Sequence, residues 1–199
     1  MSNVDTLEGL LQDELKDIYD AERQLIKALP KMVKHATADD LKQAFQDHAR
    51  QTEQHVKRLE DVFERLGMPA RGKKCVGMQN LLKEGQEMID EAEEDATRDA
   101  AMIVSAQKVE HYEIASYGAV RTWANVLGKT DVAGILEETL AEEKAADQKL
   151  TDIAESSINA SAAAAGDGAE EKDYEATKRG SRRAATARGP HVAADRKRR

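Results

Sequence analysis

Four stretches of this chain carry apolar residues at alternating three- and four-residue spacing, and each stripe is interrupted near its middle by polar residues. The first runs Leu11, Leu15, Ile18, Glu22, Leu25, Leu29, Met32, and the second Leu41, Phe45, His48, Thr52, His55, Leu59, Val62, Leu66. The third is Ile103, Ala106, Glu110, Glu113, Tyr117, Val120, Ala124, and the fourth Val132, Leu136, Thr139, Glu143, Ala146, Leu150, Ile153. This is the spacing of helices that bury one face against neighbours. The reading is therefore an all-α four-helix bundle with a polar layer across its middle. Three prolines and 4% aromatic residues agree with it, because the straight-chain residues that dominate the rest lose little rotamer freedom in a helix.

Local signals place the boundaries. Helix A starts near Asp5, where Asp5 and Glu8 stand at capping-box spacing, and runs to about His35 with its last turns kinked by Pro30. Helix B spans about Leu41 to Leu66 and stops at Gly67-Met-Pro69. The connection 68–97 contains a short helix at 77–92 and carries the chain across one end of the bundle. Helix C runs from about Arg98 to Gly128, and helix D from about Asp131 to Ile158. Beyond this bundle of residues 1–159, the Ala-, Arg- and Lys-rich residues 160–199 lack the apolar content that offsets ordering entropy, so the sequence assigns them as a disordered tail.

The interruptions carry the chemistry. A carboxylate taken out of water costs several kcal/mol even after relaxation. Glu22, Glu110, Glu113 and Glu143 on facing stripes would repel one another unless protonated or neutralised by cations. No Lys or Arg occupies the stripes nearby, which leaves bound metal as the economical neutraliser. Oxygen and imidazole ligands together suit iron, manganese or zinc better than calcium or copper(I). In the di-iron carboxylate plan two helices each give a Glu and the other two each give Glu-x-x-His. Glu22 and Glu113 match the single carboxylates. Helix B departs from the plan with Thr52-Glu-Gln-His55, and helix D with Glu143-Lys-Ala-Ala146. A second register on helix D would turn Asp147 inward instead of Ala146, and the spacing is compatible with either.

At these residues the chain resembles the YciE/YciF-type ferritin-like stress proteins over nearly all of its first 158 positions. The carrying segments are DIYDAERQLIKALPKM at 17–32, KCVGMQNLLKEG at 74–85, RDAAMIVSAQKVEHYEIASYG at 98–118 and ETLAEEKAADQKLTDIA at 138–154. The resemblance implies a rubrerythrin-like bundle, linked to stress responses and assembled as a homodimer. Carried over by position, it marks Glu22, His48, His55, Glu110, Glu113 and Glu143 as metal ligands, most simply for a di-iron centre, with Gln51 and Glu142 as further candidates. Gln51 departs from the Glu that relatives carry there. The implied role is the handling of iron, oxygen or peroxide. The alternative is a stress-induced structural bundle whose polar layer specifies helix register.

Cys75 is the single cysteine, so no intrachain disulfide forms, and a cytoplasmic location is the default. No apolar run approaches the roughly 18–20 residues that span a bilayer, and MSNVDTLEGL lacks a secretory pattern. The formal charge of −8 conceals a division: residues 176–199 hold nine Lys or Arg against Asp195, or +8, so the preceding 175 residues sum to −16. An acidic body repels nucleic acid, and any association with DNA belongs to the basic tail. Truncation after Asn159 is expected to preserve helical content and cooperative melting. Circular dichroism during thermal melting checks this, and a large loss of stability would contradict the assignment of the tail.

Overall fold

A computed structural model describes residues 4–165. Residues through 162 form one compact unit. It contains five α-helices, α1 Leu7–His35, α2 Asp39–Arg65, α3 Val76–Glu91, α4 Asp95–Val126 and α5 Thr130–Ile153, followed by a π-helical turn at Ala154–Ile158. Among the described residues there is no β-strand, and no helix is long and apolar enough to cross a membrane. The long helices close a ring in the order α1, α2, α5, α4, while α3 packs on α4 and α1. Three-residue connections at 36–38 and 127–129 force antiparallel neighbours, and the ten-residue stretch 66–75 leads into α3 along α1, where the amides of Lys73 and Cys75 donate to the Lys16 carbonyl and the Asp20 carboxylate. This is the ferritin-like four-helix bundle expected from the stripes, with the short helix inside the long connection.

The ends of the helices have identifiable causes. The cap of α1 lies one residue later than the capping-box spacing indicated, because the Thr6 hydroxyl, not Asp5, accepts from the Gly9 amide at 3.0 Å. Pro30 lies within α1, which continues through His35. Helices α2 and α4 end alike. The amides of Gly67 and Met68 donate to the carbonyls of Glu64 and Phe63, and those of Gly128 and Lys129 to Asn125 and Ala124. Both glycines have positive φ, 64° and 73°, a conformation that costs a residue with a Cβ more than it costs glycine.

Helix α2 lacks a cap of its own, since Ala38 has no side-chain acceptor. Asp99 of α4 supplies one from across the bundle. Its carboxylate accepts from the amides of Thr37 and Ala38 at 2.9 and 2.8 Å and from the Thr37 hydroxyl at 2.6 Å, and it is buried. Cys75 caps α3, its Sγ accepting from the Met78 amide at 3.3 Å. The two preceding lysines leave no mark on the thiol. Burial, together with Asp17, pushes it up to about 11.

The stripes are buried along their length, with Met32, Leu66, Ala106 and Ala146 only partly so. Helix α4 buries a second face as well, at Met102, Ser105 and Val109, because α3 covers it. Two apolar clusters result. One, around Leu25, Leu29, Phe45, Met102 and Leu150, lies at the end that α3 flanks. The other, around Leu15, Ile18, Leu59, Phe63 and Leu136, fills the opposite end. The polar interruptions of all four stripes lie between them.

Residues 159–165 are helical, which corrects the assignment of 160–165 to a disordered tail. The run Ser-Ala-Ala-Ala-Ala has high intrinsic propensity and extends a helix already formed, so it bears no nucleation cost. The rest of the tail, 166–199, lies outside the described residues. Asp99→Ala is expected to lower stability by about 2 kcal/mol, because it strands two partly buried amides at the α2 N-terminus. Urea denaturation measures the loss, and an unchanged midpoint would show that this cap contributes nothing.

Candidate metal centre

Each long helix delivers its polar residues to one level of the bundle. Helix α1 gives Glu22, α2 gives His48, Thr52 and His55, α4 gives Glu110 and Glu113, and α5 gives Glu143, all of them buried. The three-residue step from Glu110 to Glu113 and the seven-residue step from His48 to His55 keep each pair on one helix face.

The donors form two groups. His48, Glu110, Glu113 and Glu143 each place one donor atom within 4.8 Å of the others, as do Glu22, His55 and Glu143. Glu143 belongs to both groups. In the first, His48 Nε2 lies 3.3 Å from Glu110 Oε1 and 4.0 Å from Glu143 Oε2. In the second, His55 Nδ1 lies 3.0 Å from Glu143 Oε1 and 3.4 Å from Glu22 Oε1. These approaches do not have hydrogen-bonding geometry. Both carboxylate oxygens of Glu113 and of Glu143, one each of Glu22 and Glu110, both ring nitrogens of His48 and Nδ1 of His55 are buried without a hydrogen-bond partner. Buried polar atoms are nearly always paired, so a convergent set of unpaired donors fits cations placed among them. All six residues singled out in the sequence are thereby brought together.

Ionisation follows from burial and like charge. Burial raises the Glu110 and Glu113 carboxyls well above the usual range, and neighbouring carboxylates push them further, Glu143 foremost at Glu110 and Glu22 at Glu113. Burial raises Glu22 as well, and Glu143 adds to it. His48 is lowered by burial, which keeps its imidazole neutral with a lone pair free to ligate. Burial alone would also lower His55, but Glu143 and Glu22 outweigh it and push the ring up to about 11. Without a cation, burial and like charge favour the protonated forms of Glu110 and Glu113.

A surrounding set of side chains orients the donors. Glu142 accepts from His55 Nε2 at 2.8 Å and is itself held by Arg58 through two bonds of 2.6 and 2.9 Å. The Arg58 guanidinium lowers the Glu142 carboxyl. Glu142 thus fixes the far side of the His55 ring, as carboxylates commonly do for ligating histidines. Tyr117 donates to Glu22 Oε1 at 2.5 Å. Tyr117, a position of the third stripe, and Glu142, a further candidate ligand, thus both act on a donor from outside the two groups. Arg58 carries no local sequence signal for this pairing, because its partner stands 84 positions away.

The departures from the di-iron plan also have structural outcomes. The Thr52 hydroxyl donates to the His48 carbonyl at 2.9 Å and is spent within α2. Asp147 lies beside α4, accepting from Gln107 at 3.2 Å with His111 Nε2 also 3.2 Å away. It belongs to neither donor group. Gln51 is partly buried beside the His48 ring.

An antiparallel bundle with a carboxylate and histidine layer between two apolar clusters defines a protein of the ferritin-like class. The chain belongs to the family described as "Domain of unknown function (DUF892)", whose model matches residues 6–163. It is 44% identical over 158 residues to protein YciF of Escherichia coli K12, covering 79% of this chain and 95% of that protein. The crystal structure of the E. coli stress protein YciF matches with a TM-score of 0.74 at 44% identity, covering 77% of this chain and 98% of the other. YcfI of Rhodopseudomonas palustris, assigned as a candidate structural protein, matches with a TM-score of 0.74 at 44% identity, covering 75% and 95%. A protein of Xanthomonas campestris pv. campestris shares the fold, with a TM-score of 0.62 at 24% identity over 78% of this chain and 95% of the other.

The pH dependence of the metal-free protein follows with a definite sign. Glu113 has a raised carboxyl pKa when folded, so the native state holds a proton that the unfolded chain releases above about pH 4.3. That contribution to stability is complete below the unfolded value and is lost as pH rises toward the folded one. In Glu113→Gln the loss disappears. Chelator-treated Glu113→Gln should therefore melt above chelator-treated wild type near neutral pH, with the gap closing toward about pH 4. A gap independent of pH would contradict a titrating, buried Glu113.

Proposed function

We propose that this member of the YciF-type stress-protein family is a non-haem metal protein, most simply of di-iron type, that handles iron, oxygen or peroxide. The observation that carries the proposal is the convergence of unpaired buried donors in two groups sharing Glu143. Glu143, common to both groups, would serve each of two cations, and its neighbours in each group would complete the donor sets. The mixed oxygen and imidazole set suits iron, and the same residues accept manganese or zinc.

Bound iron would supply the redox chemistry and Lewis acidity. The chain's own residues do the rest. Glu110 and Glu113 would hold a bound cation as carboxylates and release their protons to solvent, so that charge in the layer would be exchanged instead of accumulated. His48 contributes a neutral imidazole. Glu142 and Arg58 hold His55 by its outer nitrogen, leaving Nδ1 to face Glu22 and Glu143. The Tyr117 hydroxyl orients Glu22. The apolar cluster around Leu15, Ile18, Leu59 and Phe63 closes one side of the layer to bulk water and strengthens the electrostatic interactions there.

The second reading is a structural or interaction bundle without turnover, in which the polar layer specifies helix register. Thr52 favours it, because its hydroxyl is turned back onto its own helix where the di-iron plan has a carboxylate. Ferrous binding separates the two. Wild type is expected to take up two ferrous ions per chain, one for each donor group. Glu22→Ala should keep the first group, Glu113→Ala should weaken it, and Glu143→Ala should lose most binding at both. Exposed Glu53→Ala should behave as wild type, since such a change usually alters stability by no more than about 0.5 kcal/mol. Anaerobic titration and the ferrous-induced rise in melting temperature read these outcomes. Equal shifts in Glu113→Ala, Glu143→Ala and Glu53→Ala would refute the site, and the structural reading would then lead.

A further inference from the structure

A cavity of about 770 Å³ enters the bundle beside the donor layer and has walls from all five helices. Most of its wall is apolar, built from residues such as Leu25, Leu29, Phe45, Ile89, Val109 and Leu150. Its volume is within the range of small-molecule sites, about 300–1,000 Å³. Natural interiors are close-packed, so an apolar space of this size leading inward is a binding feature more readily than a packing fault. His48 and Glu110 stand in its wall and join it to the first donor group.

The mouth is distinguished by its charge. Exposed Lys27 and Lys31 line it from α1, Lys83 from α3 and Lys149 from α5, with Asp40 and Asp47 on the α2 wall. Asp47 is engaged by Arg50 and Gln43, Asp40 accepts from the Leu41 amide, and Lys83 pairs with Glu87. Lys27, Lys31 and Lys149 form no ion pair among the described residues. Unpaired lysines around an apolar cavity, on a body of net charge −16, are complementary to a ligand with one anionic head and an aliphatic chain. We infer that this cavity is a binding site for a single-chain aliphatic carboxylate, its head at Lys27 and Lys31, which stand one turn apart on α1, and its chain directed inward toward His48 and Glu110. The small side chains of Ala44 and Ala146 keep the space open. The helix D position that lacks the expected histidine is therefore also the position that makes room for a ligand.

The inference does not depend on bound metal, and its test uses chelator-treated full-length protein. Isothermal titration with decanoate, below its micellar concentration, is expected to show saturable binding of one ligand per chain. Ala146→Phe and, independently, Ala44→Leu should weaken it by about tenfold or more while melting temperature is retained. Two variants are used so that a folding defect in one leaves the question answerable. Exchanging Lys27 and Lys31 together for Gln should weaken decanoate by about two- to fivefold and leave 1-decanol unaffected. Absence of saturable decanoate binding, or undiminished binding in both filled variants, overturns the proposal. So does sedimentation showing a dimer that excludes decanoate and dissociates in Ala146→Phe, which would assign this face to a second copy of the chain.

Discussion

Four glutamates buried at one level of a helical bundle cannot all be ionised and unpaired in a low-dielectric interior. That constraint organises the molecule. Glu22, Glu110, Glu113 and Glu143 are each at most 2% exposed, and the chain places no Lys or Arg among them. Protons on Glu110 and Glu113 and the charged ring of His55 satisfy the layer at the cost of holding those groups away from their ordinary ionisation. Cations would satisfy it directly. The apolar clusters at either end supply the burial that a strained middle layer requires.

The layer is useful only if its geometry is fixed, and the neighbouring residues fix it. Arg58 holds Glu142 with two hydrogen bonds, Glu142 holds His55, and Tyr117 holds Glu22. Each contact joins two different helices and so also sets the register between them. Asp99 does the same at the bundle end, where one carboxylate from α4 closes the turn between α1 and α2. Polar side chains thus decide how helices slide relative to one another, which apolar packing alone specifies weakly.

The departures from a fully symmetrical carboxylate plan lie on α2 and α5. Thr52 turns its hydroxyl into its own helix, and Ala146 borders the cavity. Loss of a ligand and gain of space therefore coincide near the first donor group. The second group, enclosed by Tyr117 and the Glu142–Arg58 pair, is more completely packed. The two groups share Glu143 yet differ in their surroundings.

The sequence by itself determined the helices, their inward faces and the six residues of the layer, because a three-four periodicity records which side of a helix is buried and a charged residue on that side is conspicuous. It also located the glycine stops at 67 and 128, whose positive φ is a local property. Tertiary structure alone decided the rest. The choice between Ala146 and Asp147 needed the rotation of α5 relative to α4, since either residue fits the periodicity within one helical turn. The division of the donors into two groups sharing Glu143 depends on distances between helices, which no spacing along one helix contains. The roles of Asp99, Glu142 and Arg58 depend on partners tens of residues away. The start of α1 at Thr6 was missed for a smaller reason: Asp5 and Thr6 are both good caps, and backbone geometry selects between adjacent candidates. Periodicity reports that a residue is buried, and only packing reports what it meets there.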